Sequence, residues 1–178
     1  MIEYEQFCFA APPRTGNLWF RSAARLCGLR ELEIDDGYHT FSTTSKLKVS
    51  MVRNPFYWLS SCYNALRLKI LSPHDAWWFG NLEYQTTFNT FVHGYLEKYP
   101  GYVGKFFDFY RADSVMRLED QPDSFMELAT TLGVNQYWKN AVRLLLPLNE
   151  TEDTWALDAL RVGVYSAEKE FCERYDYW

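Results

Sequence analysis

The sequence predicts an α/β fold, a central parallel sheet flanked by helices in three layers. Three short apolar runs of buried-strand type, Phe7 to Ala11, Val49 to Val52 and Ser114 to Leu118, alternate with segments whose apolar residues recur at helical spacing. Strand, crossover and strand therefore repeat along the chain, which is the pattern of parallel βαβ units. Apolar residues at 48% and aromatics at 19% give such a sheet a dense core, and 178 residues suit one domain, residues 1–178.

The first unit is the most informative. Pro12-Pro13 stops the opening strand, and Gly16-Asn17 starts a helix that carries Leu18, Ala23 and Leu26. A strand feeding a helix through so tight a loop aims backbone N–H groups and the positive end of the helix dipole at whatever lies above it, an arrangement suited to phosphate. Gly28 fits the helix C-cap, Leu32 to Ile34 is a short strand, and Asp35-Asp36-Gly37 is a turn leading through Tyr38 to Phe41 into the polar loop Ser42 to Ser45.

The second strand ends at Arg53-Asn54, and Pro55 suits the first turn of a helix carrying Phe56, Leu59, Cys62, Tyr63, Leu66 and Ile70. A break at Ser72-Pro73-His74-Asp75 and an aromatic loop, Trp77-Trp78-Phe79-Gly80, follow. Phe88, Phe91, Val92, Tyr95 and Leu96 mark another helix, ended by Pro100-Gly101, while Val103 to Tyr110 is ambiguous. The third strand runs through Glu119-Asp120 into a helix bearing Phe125, Leu128 and Leu132 as far as Gly133. Asn135 to Leu145 and Thr151 to Tyr175 are helical, with Pro147 between them.

A net charge of −5 provides no basic face for nucleic acid, so any anion site must be local. Cys8, Cys27, Cys62 and Cys172 form no C-x-x-C pair and lie in apolar segments, which points to buried reduced thiols and a cytoplasmic setting rather than disulfides or zinc. The acidic start Met1 to Glu5 has no long apolar stretch behind it, so neither a secretory signal nor a membrane partner is expected.

The loop departs from the nucleotide-binding pattern G-x-x-x-x-G-K-S/T. Ala11 replaces the first glycine, Asn17 stands at the lysine, and Leu18 cannot ligate a metal. The cation is instead Arg14, two residues before Gly16. Pro13-Arg14-Thr15-Gly16-Asn17-Leu18-Trp19-Phe20 resembles the 5′-phosphosulfate loop P-K/R-S/T-G-N/T-S/T-W-L/F of the sulfotransferases that use 3′-phosphoadenosine 5′-phosphosulfate (PAPS), departing only at Leu18. Val52-Arg53-Asn54-Pro55, with Ser61 eight residues after Arg53, is similar to the 3′-phosphate motif of the same family. Met116-Arg117-Leu118-Glu119-Asp120 is similar to its strand L-R-Y-E-D, with Leu118 in place of a tyrosine that helps hold the adenine. The family's glycine-rich segment near the C-terminus is absent, although Arg161-Val162-Gly163 stands roughly there. The resemblance spans about residues 7 to 134.

The resemblance implies a P-loop-type fold, transfer of a sulfuryl group from PAPS to a hydroxyl or amine of a small-molecule, glycan or peptide acceptor, and release of 3′,5′-adenosine bisphosphate (PAP). It implies Arg14, Thr15, Gly16, Asn17, Leu18 and Trp19 at the 5′ end of the nucleotide, Arg53 and Ser61 at the 3′-phosphate, and no metal. His39 corresponds in order to the histidine base of many members, and an imidazole with a pKa of about 6.5 is poised for the role at neutral pH. Glu33, Asp35 and Asp36 are the carboxylate alternatives. Lys46 and Lys48 are further candidates for positive potential near the site. A phosphotransferase using ATP and magnesium, and a noncatalytic nucleotide-binding domain, are the alternative functions.

Overall fold

A computed structural model describes residues 1–10, 12–34, 46–68, 87–145 and 158–178. Contacts gather the chain into two compact units, Met1–Arg53 with Phe107–Glu150, and Asn54–Phe106 with Thr151–Trp178. The first unit holds the sheet.

That sheet has five strands, β1 (Ile2–Tyr4), β2 (Phe7–Phe9), β3 (Glu31–Ile34), β4 (Leu47–Val52) and β5 (Ser114–Arg117), in the order β3-β1-β2-β4-β5. β2 pairs in parallel with β4, and β4 with β5, in the register Val49 to Ser114 and Val52 to Arg117. β1 is antiparallel to both β2 and β3. The sheet is therefore mixed, and the expectation of a wholly parallel one is corrected by β1. The reason is local. Only Glu5 and Gln6 separate β1 from β2, and strands joined by two residues can pair only as an antiparallel hairpin. Ile2 and Tyr4 are buried while Glu3 between them is less so, the period of a strand in a segment that its acidic residues disguise.

The helix α1 (Asn17–Leu26) follows β2 and docks on the sheet through Phe20, whose ring stacks 3.8 Å from Phe9 and meets Phe125 edge-on at 5.4 Å. Gly28, with φ of +72°, ends the helix as expected. Glu31 then fixes α1 against β3. Arg21 Nε and Nη2 donate to its two oxygens at 2.9 and 3.0 Å, Arg25 adds a contact at 3.2 Å, and Tyr4 donates from the far side. The Arg21 hydrogen bonds hold the Glu31 carboxyl down at about 2, well below the usual range. After the second unit the chain returns as β5, a 3₁₀ turn (Leu118–Asp120), and two helices numbered here α5 (Asp123–Thr131) and α6 (Gln136–Val142). Phe125, Met126, Leu128, Ala129 and Val142 complete the core over β2, β4 and β5.

The second unit comprises α2 (Pro55–Arg67), α3 (Phe88–Lys98), most of α4 (Tyr102–Asp108), α7 (Asp158–Ala167) and α8 (Lys169–Tyr175). Asn54 caps α2, its Oδ1 accepting from Phe56 N at 3.0 Å, with Pro55 in the first turn as the sequence predicts. Its Nδ2 also donates to Tyr165 Oη of α7 at 2.8 Å. The segment Val103 to Tyr110, ambiguous in the sequence, is the helix α4 as far as Asp108, with Val103, Phe106 and Phe107 buried. The helix expected over Thr151 to Tyr175 is instead two over its described part, divided at Glu168. All four cysteines are buried, and no helix among the described residues is long and apolar enough to cross a membrane.

Glu168 explains that division. Its carboxylate turns from the α7–α8 junction onto the start of α4, accepting from Val103 N at 3.2 Å and Gly104 N at 2.9 Å, and it accepts the Tyr95 hydroxyl of α3 as well. Burial pushes its pKa up to about 7, and the Gly104 and Val103 amides pull against that rise. A carboxyl whose pKa rises on folding favours the fold while protonated, so this contribution is complete below the unfolded value of 4.5 and lost as pH rises through about 7. Glu168→Gln keeps the shape and one acceptor. We expect it to lower stability by about 1 kcal/mol at pH 5, for the acceptor lost, with the gap to the parent closing and then reversing as pH rises to 8 in urea titrations. A gap that widens with pH contradicts this assignment.

Candidate functional site

β2, β4 and β5 run the same way and end on one edge of the sheet. From β2 the chain leaves through α1 toward β3 on one side, and from β4 it proceeds toward β5 on the other. The crevice between the ends of β2 and β4 is therefore a topological switch point, where open α/β sheets bind ligands.

The loop after β2 is held by its own polar side chains. Ala10 N continues the ladder to Val49 O at 2.9 Å. Pro12 O then accepts both the buried Thr15 hydroxyl, at 2.7 Å, and Asn17 Nδ2, at 3.1 Å. Arg14 and Gly16 both lie in the left-handed region, at φ of +66° and +81°. For Arg14 this is a conformation that non-glycine residues rarely adopt, and such outliers gather at ligand-binding sites. At Gly16 the left-handed backbone favours glycine, and the Leu118 side chain packs close against it. A Cβ there would stand 2.5 Å from Leu118 Cδ1, so the residue after β5 is seated against the loop after β2, two strands away.

Gly16 is the N-cap of α1, and no side chain caps this helix; its first turn also carries no acid. Asn54, Thr87 and Asn135 cap α2, α3 and α6 by contrast. The positive end of α1 thus opens on the crevice with no side-chain oxygen assigned to its cap. Arg53, half-buried, reaches over from the end of β4, and its Nη1 donates to Arg14 O at 3.1 Å. The two arginines of the sequence motifs, Arg14 and Arg53, are thereby brought together.

The other predicted residues divide. Thr15 and Asn17 serve the loop itself through their side chains, leaving their backbone as the part that can face a ligand. Leu18 is exposed, and Trp19 is a core residue with its ring edge-on to Phe125 at 5.8 Å. Ser61 is buried on α2 in the second unit. His39, Asp35 and Asp36 lie outside the described residues, as do His74 and the aromatic loop at Trp77. Glu33 stands opposite Glu3 of β1, near the end of β3. Lys46 and Lys48 are removed from the site. Lys46 precedes β4 at the opposite edge of the sheet and binds Glu3 Oε1 at 2.6 Å and Tyr4 O at 2.8 Å, while Lys48 N pairs with Asp113 ahead of β5.

The packing role of Leu118 is what sequence reasoning misses. The resemblance puts a base-holding tyrosine there, whereas the leucine packs against the core beneath the loop. The signal was present in the pairing of a small residue, Gly16, with a bulky apolar one just past a strand. The chain matches no protein-family model, no curated protein and no solved structure at a significant level.

Gly16→Ala is expected to destabilise the chain by about 1–2 kcal/mol through the left-handed backbone, and further through the overlap with Leu118. Adding Leu118→Ala removes that overlap, so the double variant loses less stability than the sum of the two single changes. Strict additivity in denaturant titrations contradicts the contact.

Proposed function

We propose that this chain is a PAPS-dependent sulfotransferase with a P-loop-type site at the ends of β2 and β4. The observation that carries the reading is the Arg53 guanidinium on the Arg14 carbonyl, beside the N-terminus of α1 that no side chain caps. It joins, at a switch point, the two sequence motifs that resemble the family's 5′- and 3′-phosphate motifs. The donor set fits a doubly anionic nucleotide: two arginines, a helix N-terminus without an acid in its first turn, and a glycine that lets the backbone approach the ligand.

PAPS, as co-substrate, supplies the sulfuryl group: an acceptor oxygen or nitrogen bonds to its sulfur, the bond from sulfur to the bridging oxygen breaks, and PAP leaves. Arg14 and the amides of residues 15 to 17 stabilise the negative charge that grows on the leaving oxygen, more in the transition state than before it. Loss of the Arg14 guanidinium costs about 2–4 kcal/mol of barrier, as for a single oxyanion-hole donor. Arg53 holds the 3′-phosphate through paired, charge-assisted hydrogen bonds and keeps the Arg14 loop in register. His39 takes the acceptor proton, with Glu33, Asp35 or Asp36 as the carboxylate alternatives.

Isothermal titration calorimetry tests this. We expect PAP to bind without added metal and at least about ten-fold more tightly than 5′-AMP, a difference of about 1.4 kcal/mol. Arg53→Ala weakens PAP by about ten- to a hundred-fold, and His39→Ala leaves binding intact but abolishes sulfate transfer. Preference for ATP with magnesium favours a phosphotransferase instead, and PAP binding without transfer to a broad panel of acceptors favours a noncatalytic domain.

A further inference from the structure

We propose that Thr15 and Asn17 are positioning residues of the anion site and not ligand donors: through one shared acceptor, the Pro12 carbonyl, their side chains lock the loop after β2 in its binding shape before a nucleotide arrives. They thereby set the affinity for the group at the nucleotide's 5′ end. This rests on the nucleotide reading above, and it gives the two side chains a role other than the contact that the sequence motif implies.

The loop begins on a rigid pair. Pro12 and Pro13 are buried, and their rings fix φ. Pro12 O takes the Thr15 hydroxyl at 2.7 Å and Asn17 Nδ2 at 3.1 Å, which closes the turn across Arg14 and Gly16. These are the two left-handed residues of the loop, at φ of +66° and +81°. For a residue other than glycine, such a backbone persists only where its surroundings over-determine it. Arg14 meets that condition, for it lies between Pro12 and Thr15, which are joined to each other, and its own carbonyl is held by Arg53 Nη1 at 3.1 Å.

What the two side chains face separates them from ligand donors. Thr15 is fully buried, and its hydroxyl has Pro12 O at 2.7 Å and Asn17 Oδ1 at 3.3 Å, so its single proton is committed inside the loop. The backbone is different. The first bond of α1 runs from Phe20 N to Gly16 O, at 3.0 Å, and the amides ahead of Phe20 have no acceptor within the helix. The turn that Thr15 and Asn17 close sets the direction of those amides. A ligand that meets a loop already in this shape loses no binding energy to ordering it, which is how preorganisation raises affinity.

Calorimetry with PAP and 5′-AMP on the full chain tests the assignment. Thr15→Val, which keeps the shape and removes the hydroxyl, is expected to weaken both nucleotides by the same factor, about three- to ten-fold, because both carry the 5′-phosphate. Thr15→Ser, which restores the hydroxyl, falls between the valine variant and the parent. Asn17→Ala weakens both nucleotides by a similar factor, and it carries the test if Thr15→Val does not fold. The double variant separates the two roles. Either side chain alone still holds Pro12 O, so losing both weakens the nucleotides by more than the product of the single factors. Side chains that each donate to the ligand give factors that multiply, and that outcome overturns the inference, as does unchanged affinity in folded variants, which marks a merely structural role. Parent protein that binds neither nucleotide overturns the sulfotransferase reading itself, and this inference with it.

Discussion

The hydrogen bond from the Arg53 guanidinium to the Arg14 carbonyl ties together the ends of two adjacent parallel strands. It forms where Arg14 is left-handed and Thr15 and Asn17 close the loop on Pro12. Those side chains are spent on the loop, so its backbone and the α1 terminus are what it presents outward. The aromatic packing beneath has the same effect: Trp19 and Phe20 bury against Phe125 and the sheet, and fix the helix whose first turn forms the site. The left-handed backbone then favours glycine at residue 16, with the Leu118 side chain packed against it.

Charge is arranged locally against a net charge of −5. Arg21 and Arg25 are bound to Glu31, and Lys46 to Glu3, in pairs that serve the sheet and its edges. The strand ends at the switch point between β2 and β4 carry Arg14 and Arg53. On the proposed reading, a site built this way suits a compact polyanion at short range without making the protein a polycation.

Much of this was legible in the chain. The strand–loop–helix unit at Phe7 to Leu26, the cap and proline at the start of α2, and the strand at Ser114 all carry their own local chemistry, and local chemistry is what a sequence exposes. β1 was hidden because three residues offer too short a period to read and two of the first five are glutamates. The split at Glu168 was hidden because its cause is a contact with Tyr95 and the start of α4, more than sixty residues away in the chain. Arg14 and Arg53 could be singled out because motifs flank them. The standing of Leu118 depends on the Gly16 backbone, and of Lys46 on the edge of the sheet it occupies, and neither is visible before the strands are ordered.

The most direct measurement is a crystal structure of the chain grown with PAP. The account predicts the 5′-phosphate on the amides of residues 15 to 17, beside Arg14, and the 3′-phosphate on Arg53, with the left-handed loop unchanged. PAP bound anywhere else, or a loop that must refold to admit it, contradicts the account.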